Sequence, residues 1–377
     1  MSYFTEQHEQ LRLEVRAFIE QEITPYIVEW ERAGQFPKSL YKKLGEKGYL
    51  GLRYPTHVGG QGLDYFSAVV FVEELSRCGA GGVPLAIAVQ TDMATPPIAE
   101  FGSEYHIENF VRPALRGEKV GAIGISEPNH GSNVAGIETR AVLDGDEYVI
   151  NGSKMFITNG TNADFITLVT RTNDLPSHKG ISLIIVDLDR PGVTITKKLD
   201  KLGMRSSDTA EIVFENVRVP KENLLGQEGK GFAQIMWELQ GERMIAAPLA
   251  IGMATFVYEQ TAQALEKRAH VTEKQYELLA LMYTELESAK SIAYAVAEQF
   301  NQGNVPSLEI SMVKYSAGGS VIKIAEMAMQ ILGAESLTFI NPIQRIWRDT
   351  RVNRIGGGTD EIMKEIIAKQ LALEVSV

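Results

Sequence analysis

The sequence lacks the features that mark disulfide-bonded, secreted or membrane-spanning proteins. It has one cysteine, Cys78, so an internal disulfide is excluded and a reducing compartment is favoured. No apolar run approaches the roughly 20 residues that a membrane-spanning helix needs. The first residues, MSYFTEQHEQ, are polar and acidic, unlike a signal or transit peptide. Together these absences predict a cytoplasmic protein without a membrane span.

Positive charge is also scarce. The 37 lysines and arginines are outnumbered by 48 aspartates and glutamates, which gives a net charge of −11. Such an acidic chain is a poor match for nucleic acid or for an anionic membrane surface. Apolar residues make up 44% and charged residues 23%, as in ordinary globular proteins. A chain of 377 residues is long for one core, so we expect two or three packed units.

Three zones of different composition follow one another along the chain. Residues 1–118 show helical periodicity, and residues 119–228 carry β-branched runs that are separated by glycine turns. Residues 229–377 return to long helices with apolar seams. We therefore predict an α+β fold with an N-terminal helical domain, a middle antiparallel β-barrel or sandwich, and a C-terminal helical bundle.

Strands of the middle zone are predicted from short apolar runs that end at turn residues. Tight turns are expected at 144–146 and at the Asn-Gly pairs 151–152 and 159–160. The runs that predict strands are EYVINGSKMFITNG, ADFITLVTRT, GISLIIVDL, VTITKKL and AEIVFENVRVP. An antiparallel arrangement is favoured because no helix-length segment separates these runs.

One carboxylate interrupts the apolar stripe of the helix predicted over residues 231–268. Glu242 stands where the three- and four-residue steps between Leu239 and Ala246 call for an apolar side chain. Burial would raise its pKa, which suits a general base that works near neutral pH. A structural ion pair explains the same position equally well, although the adjacent Arg243 does not share its helix face.

Several motifs resemble those of the acyl-CoA dehydrogenase family. The most specific are IGISEPNHGSNVAG at 123–136, KMFITNG at 154–160 and KLGMRSSDTAEIVFENVRVPKENLLG at 201–226. Similar strings near both ends, such as EQLRLEVRAFIEQEITP and RDTRVNRIGGGTDEIMKEIIA, extend the resemblance over nearly the whole chain. The resemblance implies three domains that end in a four-helix bundle. It also implies FAD-dependent α,β-dehydrogenation of an acyl thioester to the trans-2-enoyl thioester.

The resemblance further implies where the cofactor and substrate bind. Ser126 corresponds to a hydroxyl that bonds the flavin's pyrimidine edge, and Phe156, Ile157 and Thr158 correspond to the segment that covers the ring. Ser132 corresponds to a hydroxyl that meets the pantetheine arm of the substrate. No metal site is predicted.

Family members share their cofactor between subunits, so the resemblance implies a homo-oligomer, most simply a homotetramer. Arg268 and Gln275 correspond to residues that reach the FAD of a neighbouring chain, and Gln330 and Thr359 to further contacts. The string RAHVTEKQ, which begins at Arg268, lacks the aromatic residue that is usual in the family. An electron-transferring flavoprotein is the acceptor that the resemblance implies.

The position of the catalytic base departs from the commoner family pattern. Most members carry a glutamate in the loop before the last helix, and in NRIGGGTDEIM (353–363) Gly357 takes that position. Isovaleryl- and long-chain acyl-CoA dehydrogenases instead use the glutamate of a Glu-Arg pair on the first bundle helix, here Glu242 and Arg243. We therefore predict Glu242 as the α-proton base, with hydride transfer to flavin N5. Gly357 is expected to give a backbone N–H to the thioester oxygen, and Arg243 to lie beside the substrate.

Three alternatives remain open on the sequence alone. The first is a dehydrogenase that takes its acyl chain from an acyl carrier protein instead of CoA. The second is a flavin oxidase or monooxygenase of the same fold, and the third is a non-catalytic binding or assembly module. The length and branching of the acyl chain do not follow from the sequence, because they depend on how the pocket packs.

Overall fold

The computed structural model describes residues 3–371, which fold into the three zones in the predicted order. The proposed boundaries 1–118, 119–228 and 229–377 stay predictions, and residues 372–377 of the third zone lie outside the described residues. Among residues 3–371, no helix combines the length and apolar character needed to cross a membrane. Nor does any cluster of His, Cys, Asp or Glu side chains in that range have an arrangement suited to a metal ion.

The first zone is helical because its apolar residues recur at helical spacing and its helices begin at capping residues. Thr5 caps the first helix and Asp64 caps the fourth, each through a side-chain oxygen that accepts a backbone N–H. A π-helical turn, Val89–Ala94, joins the fifth and sixth helices and carries Asp92. The helices are α1 (Glu6–Glu22), α2 (Ile27–Ala33), α3 (Ser39–Glu46), α4 (Tyr65–Ser76), α5 (Gly82–Ala88), α6 (Pro96–Phe101), α7 (Glu104–His106) and α8 (Arg112–Leu115).

The second zone is a seven-stranded, curled sheet whose strands pair in the order β1-β4-β2-β3-β7-β6. The remaining strand, β5, lies off this path and pairs with β4. The predicted antiparallel pairing is confirmed for β2/β3, β3/β7, β4/β5 and β6/β7. Two pairings are parallel, β1 with β4 and one residue pair of β2 with β4. The strands are β1 (Gly121–Gly124), β2 (Arg140–Asp144), β3 (Glu147–Thr158), β4 (Phe165–Arg171), β5 (Ile181–Asp187), β6 (Val193–Lys198) and β7 (Thr209–Pro220).

One of the predicted turns is absent. Asn151 and Gly152 lie inside β3, where the register against β7 shifts between Ile150 and Gly152. A Cβ atom on Gly152 would lie 2.5 Å from Thr139 Oγ1. The absence of a side chain at 152 therefore lets Thr139, just before β2, pack closely against β3. The turns at 144–146 and 159–160 are confirmed, since β2 pairs with β3 across the first and β3 ends before the second.

The third zone consists of long helices, and most positions of their predicted apolar seams are buried. The seam of α11, from Ile310 to Ile331, is at most 3% exposed at every predicted position. α9 also packs on α4, where a Cβ on Gly252 would meet the carbonyl oxygen of Glu73 at 2.3 Å. This packing fixes α9 between the first zone and the bundle. The helices are α9 (Gly231–Glu266), α10 (Glu273–Asn301), α11 (Ser307–Leu332), α12 (Pro342–Asp349) and α13 (Asp360–Gln370).

Candidate active site

Glu242 lies on α9, and its carboxylate lies against the glycine run that precedes α13. A Cβ atom on Gly357 would lie 3.4 Å from Glu242 Oε1 and 3.8 Å from its Cδ. The carboxylate therefore occupies the space that a side chain at position 357 would enter. A glutamate at 357 would bring two carboxylates together, and like charges at such distances disfavour ionisation. The two sequence positions considered for the base thus belong to one site.

The glycine run has a backbone conformation that other residues rarely adopt. Gly357 and Gly358 have φ angles of +68° and +99°, in the left-handed region. Arg243 Nε donates to the Gly357 carbonyl at 3.3 Å, and Lys314 Nζ donates to the Gly358 carbonyl. Within residues 3–371 the N–H of Gly357 has no hydrogen-bond acceptor. This N–H is available to an oxygen atom of a bound molecule.

The electrostatics of this site favour a carboxylate that is ionised at neutral pH and still basic. Burial raises the pKa of Glu242 to about 6, against the opposing effect of the positive charges of Arg243 and Lys314. Burial also lowers the pKa of Lys314 and that of Arg243. A base with such a pKa accepts a proton more readily than an ordinary glutamate does.

The apolar stripe predicted for α9 contains both buried and partly exposed positions. Ile235 and Met253 are 0% and 1% exposed, whereas Leu239, Glu242 and Ala246 keep partial exposure. Glu242 therefore keeps part of its surface exposed.

The middle domain contributes an exposed aromatic side chain on a strained part of β3. Between Lys154 and Ile157 the pairing of β3 with β7 shifts its register. Within this bulge Phe156 has a φ angle of +64° and is 65% exposed. A left-handed conformation costs an aromatic residue about 1–2 kcal/mol, and such strain clusters at ligand sites. The exposed ring offers an apolar face to a planar ligand.

The other residues predicted near a flavin differ in what they expose. Ser126 follows β1, is partly exposed, and accepts the N–H of Met155 at 2.9 Å through its carbonyl. Thr158 is half-buried at the end of β3. Ile157 is 2% exposed, packs in the core of the sheet, and accepts the Gly160 N–H at 3.1 Å through its carbonyl. Ser132 is exposed in the loop after β1.

A buried ion pair, which the sequence analysis missed, ties the loop after β1 to β3. Lys154 is 0% exposed and donates to Glu127 Oε1 at 2.8 Å and to the Ile125 carbonyl at 3.0 Å. Glu127 also accepts the backbone N–H groups of Glu138 and Thr139 at 2.6 and 3.0 Å. Burial lowers the pKa of Lys154 to about 8, against the charge of Glu127. The pair fixes the start and the end of this loop.

Four further residues were predicted to contact the cofactor, Arg268 and Gln275 from a neighbouring subunit together with Gln330 and Thr359, and three of these four lie together at the C-terminal end of α11. Arg268 Nη1 and Gln275 Nε2 each donate to the Ile331 carbonyl at 3.1 Å, and Gln330 is exposed one residue earlier. Thr359, the fourth, caps α13 through its side chain. Arg268 and Gln275 therefore already bind a helix end of their own chain, and their contact with a second subunit stays a prediction.

The structure thus brings the predicted residues together in three groups, with Ser132 apart from them. Within residues 3–371, no hydrogen bond or ion pair joins one group to another. The first group contains Glu242, Arg243, Gly357 and Thr359, the second Ser126, Phe156, Ile157 and Thr158, and the third Arg268, Gln275 and Gln330.

Two charged residues near Glu242 were missed in the sequence. Glu238 and Lys314 are 1% and 2% exposed, respectively. Glu238 precedes Glu242 by four residues, and Lys314 follows Ile310 by four on the seam of α11. Each is a charged residue on an apolar helix face, which is the sequence pattern that singled out Glu242, so the same pattern could have identified both.

The residues of the second group fit a flavin cofactor. A planar ring system would cover the exposed Phe156 side chain, which the described fold leaves in solvent. Ser126 bonds the Met155 N–H at the same bulge through its carbonyl, Thr158 follows the bulge on β3, and both residues carry hydroxyl groups of the kind that bond polar ring edges. The first group then supplies a basic carboxylate and a free backbone N–H.

Three family models match the chain one after another. They are described as the N-terminal, middle and C-terminal domains of acyl-CoA dehydrogenase, and they match residues 5–118, 122–217 and 229–372. Together these matches extend over most of the chain, in the order of the three structural zones.

Individual relatives match over nearly their full length. A mitochondrial long-chain specific acyl-CoA dehydrogenase from Sus scrofa is 36% identical, with 98% of this chain and 87% of the relative covered. A short-chain specific acyl-CoA dehydrogenase from Clostridium acetobutylicum is 35% identical, with 97% and 98% covered. The crystal structure of a putative acyl-CoA dehydrogenase from Mycobacterium smegmatis aligns with a TM-score of 0.96 at 39% identity, over 99% of each chain.

Proposed function

The chain belongs to the acyl-CoA dehydrogenase family of flavin-dependent oxidoreductases, and from that premise we propose its reaction. The protein is an FAD-dependent dehydrogenase that converts an acyl thioester into the trans-2-enoyl thioester, with Glu242 as the base. The observation that carries this proposal is the placement of Glu242 Oε1 against the backbone of Gly357. A carboxylate thus lies at the loop although the loop itself has no acidic side chain.

Glu242 takes the α-proton of the substrate onto its carboxylate and becomes neutral in the step. Its raised pKa of about 6 leaves it ionised at neutral pH. The raised value also narrows the difference between the pKa of the base and that of the weakly acidic C–H group at the α-carbon. The partial exposure of Glu242 gives a substrate access to this carboxylate.

The glycine run stabilises the negative charge that develops on the thioester oxygen. The Gly357 N–H lacks an acceptor in residues 3–371, so it can donate to that oxygen without breaking an existing bond. Arg243 and Lys314 hold the carbonyls of Gly357 and Gly358, and thereby keep this N–H in place before the substrate arrives. Arg243 is also the residue that we place beside the substrate, and Ser132 is placed at the pantetheine arm.

FAD, when bound, supplies the acceptor for the hydride that leaves the β-carbon. The segment of Phe156, Ile157 and Thr158 would cover the ring, and the Ser126 hydroxyl would bond its pyrimidine edge. In the proposed homotetramer, Arg268 and Gln275 would reach the FAD of a neighbouring subunit, and Gln330 and Thr359 would make further contacts with the cofactor. The proposal includes an electron-transferring flavoprotein as acceptor and the cytoplasm as location.

The test is anaerobic flavin reduction by the purified protein. Its visible spectrum is recorded first, and bleaching is then followed with straight and branched acyl-CoA substrates of short to long chain and with matched acyl-carrier-protein substrates. The proposal predicts a yellow protein that is bleached by at least one acyl-CoA. The Glu242→Gln variant serves as the control, because it should bind flavin equally well and resist bleaching.

Each alternative gives a different outcome in this experiment. Bleaching by acyl carrier protein substrates alone would assign the protein to the carrier-dependent class. Rapid reoxidation of the reduced flavin by oxygen, with no preference for an electron-transferring flavoprotein, would favour an oxidase. A colourless protein that takes up no added FAD would contradict the enzymatic proposal.

A further inference from the structure

A pocket of about 240 Å³ lies between the first zone and the middle domain. It is lined by the C-terminal end of α2, by the last residue of β6 and by the chain that follows β6. Its lining shares no residue with the three groups of the candidate active site. Four of the lining side chains are cations, Arg32, Lys198, Lys201 and Arg205, and one is a carboxylate, Asp200. The pocket is therefore strongly basic, in a chain whose net charge is −11.

The protein neutralises little of this positive charge. Arg205 pairs with Asp200 at 2.5 Å, but the Asp200 side chain is 86% exposed, so the pair is weak. Within residues 3–371, the contacts of Arg32, Lys198 and Lys201 are with uncharged groups, and none of the three takes part in an ion pair. A single unpaired surface cation is ordinary, but like charges around one concavity repel one another. An anion in the pocket would remove this repulsion.

Several N–H groups of these cations remain available to a ligand. Arg32 makes no hydrogen bond within residues 3–371, and its guanidinium lies over the Phe339 ring at 5.7 Å. In the same range Arg205 forms hydrogen bonds only through Nη1, which leaves Nε and Nη2. Lys198 donates to Gln35 Oε1 at 2.6 Å and keeps its other N–H groups. Two guanidinium groups and an ammonium group can therefore donate to a bound anion.

Lys201 adds charge to the pocket without being a free donor. Its ammonium group donates to the Ser207 carbonyl at 2.8 Å, to Ser207 Oγ at 3.1 Å and to Thr209 Oγ1 at 2.9 Å, so its N–H groups are all used. Burial lowers the pKa of Lys201 to about 8, against the attraction of nearby carboxylates. The group stays protonated at neutral pH, and its acceptors hold this charge in place.

The donors and the size of the pocket select the chemical class of the anion. Guanidinium groups bond phosphate oxygens in pairs, and lysine adds a compact charge, so this donor set suits phosphate. A phosphate group carries about 1.5 to 2 negative charges at pH 7, which matches several unpaired cations better than one carboxylate does. Pockets for drug-sized molecules have roughly 300–1,000 Å³, so this pocket suits a smaller ligand. A polyanion or an anionic membrane is disfavoured, because the chain as a whole is acidic.

We propose that this pocket binds the phosphate group of a small molecule, either inorganic phosphate or a phosphate monoester. The bound group joins α2 of the first zone to the chain after β6. That chain also holds the third zone, because the Met204 N–H donates to Asp349 Oδ1 at 2.5 Å. Phosphate binding therefore stabilises the contacts among all three zones. The inference does not depend on the reaction proposed above.

Calorimetric titration of the purified protein tests the binding. FAD is added in excess, so that no phosphate probe occupies a flavin site, and sodium chloride holds the ionic strength constant. The probes are inorganic phosphate, adenosine monophosphate and succinate. We expect at least one phosphate probe to bind more tightly than succinate and to raise the thermal denaturation temperature. Tighter binding of adenosine monophosphate would identify a monoester as the ligand, and equal or tighter binding of inorganic phosphate would identify the free ion.

Three variants locate the binding in this pocket. Arg32→Gln and Lys198→Gln should each weaken phosphate binding by about 10- to 100-fold, as for the loss of one hydrogen bond to a charged group. Lys197→Gln is the matched control, because it removes the same charge from the neighbouring exposed position of β6, which does not line the pocket. Since salt screens exposed charges, this control should change the affinity by less than about threefold.

The proposal is overturned if neither phosphate probe binds, or if succinate binds as tightly as both. Equal phosphate affinities in Arg32→Gln, Lys198→Gln and Lys197→Gln would also overturn it. If the cations only neutralise the C-terminal end of α2, Lys198→Gln lowers the denaturation temperature equally with and without phosphate, and that result counts against the proposal as well. If Arg32→Gln does not fold, Lys198→Gln and its control decide the outcome.

Discussion

Two pairs of buried ionisable side chains differ in how completely they are bonded. In the middle domain, Lys154 and Glu127 bond each other, and Glu127 accepts two further backbone N–H groups. On α9, the oxygens of Glu238 have no partner within residues 3–371, and Glu242 lies against a glycine backbone. The first pair satisfies its charges internally, whereas the second leaves a basic carboxylate that is partly exposed.

This difference separates a scaffold from a reactive site. A fully bonded buried pair fixes the loop that carries Ser126, and altering it should mainly affect folding. An incompletely bonded pair keeps its proton affinity for a substrate, and altering it should mainly affect the reaction. The predictions below test whether stability and activity divide between the two sites in this way.

The largest effect is expected from removal of the base. Glu242→Gln should lower the limiting rate of flavin reduction by about 10²- to 10⁴-fold, the usual contribution of a general base, with little change in thermal stability. In wild type this rate should rise with pH through about 6, because the base works in its ionised form. Stopped-flow measurements across the pH range check both statements. Glu266→Gln, an exposed position on the same helix, is the control; equal losses in both variants would contradict the assignment.

Breaking the buried pair of the middle domain should have the largest effect on stability. Lys154→Met leaves the Glu127 carboxylate buried without its cation, which costs about 3–5 kcal/mol in the free energy of unfolding. Chemical denaturation measures this loss, and the double variant with Glu127→Gln should recover part of it. Lys42→Met, at an exposed position, should change stability by no more than about 0.5 kcal/mol. An undiminished stability of Lys154→Met would remove the basis of the comparison.

A smaller effect is expected when the positive charge near the base is removed. Lys314 lowers the pKa of Glu242, so Lys314→Met should move the rise of the rate to higher pH. The rate should fall near pH 6 and recover at alkaline pH. Lys314→Gln retains a donor for the Gly358 carbonyl and lacks the charge, so it should show the same shift with a better preserved loop. A shift to lower pH in both variants would refute the electrostatic role.

The smallest effect is expected at the glycine run. Gly357→Ala places a Cβ 3.4 Å from Glu242 Oε1 in a left-handed conformation, which should cost about 1–2 kcal/mol of stability. Gly356→Ala is the matched control, because its nearest neighbour would lie at 3.8 Å and its φ angle is not in the left-handed region. Thermal denaturation compares the two variants. A larger loss for Gly356→Ala would show that the conformation of this loop is not what requires glycine at 357.

Local sequence patterns were sufficient to predict the order of the three zones and many residues of the candidate site. The α11 seam and the five predicted strands follow from residue periodicity, because each period places one set of side chains on a single face. The same pattern marked Glu242 as a charge on an apolar face. Glu238 and Lys314 are also charged residues on apolar helix faces, so the same pattern predicts both, although the sequence analysis named only Glu242.

The sequence by itself determined the fold class, the family and the residue type at each site position, because periodicity and motifs are local properties of the chain. Only the tertiary structure decided that Asn151 and Gly152 lie at a register shift within β3, and that Glu242 keeps partial exposure on α9. It also decided that Glu242 lies against Gly357, although 115 positions along the chain separate them. Contacts between distant segments set burial, and burial raises the pKa of Glu242 to about 6.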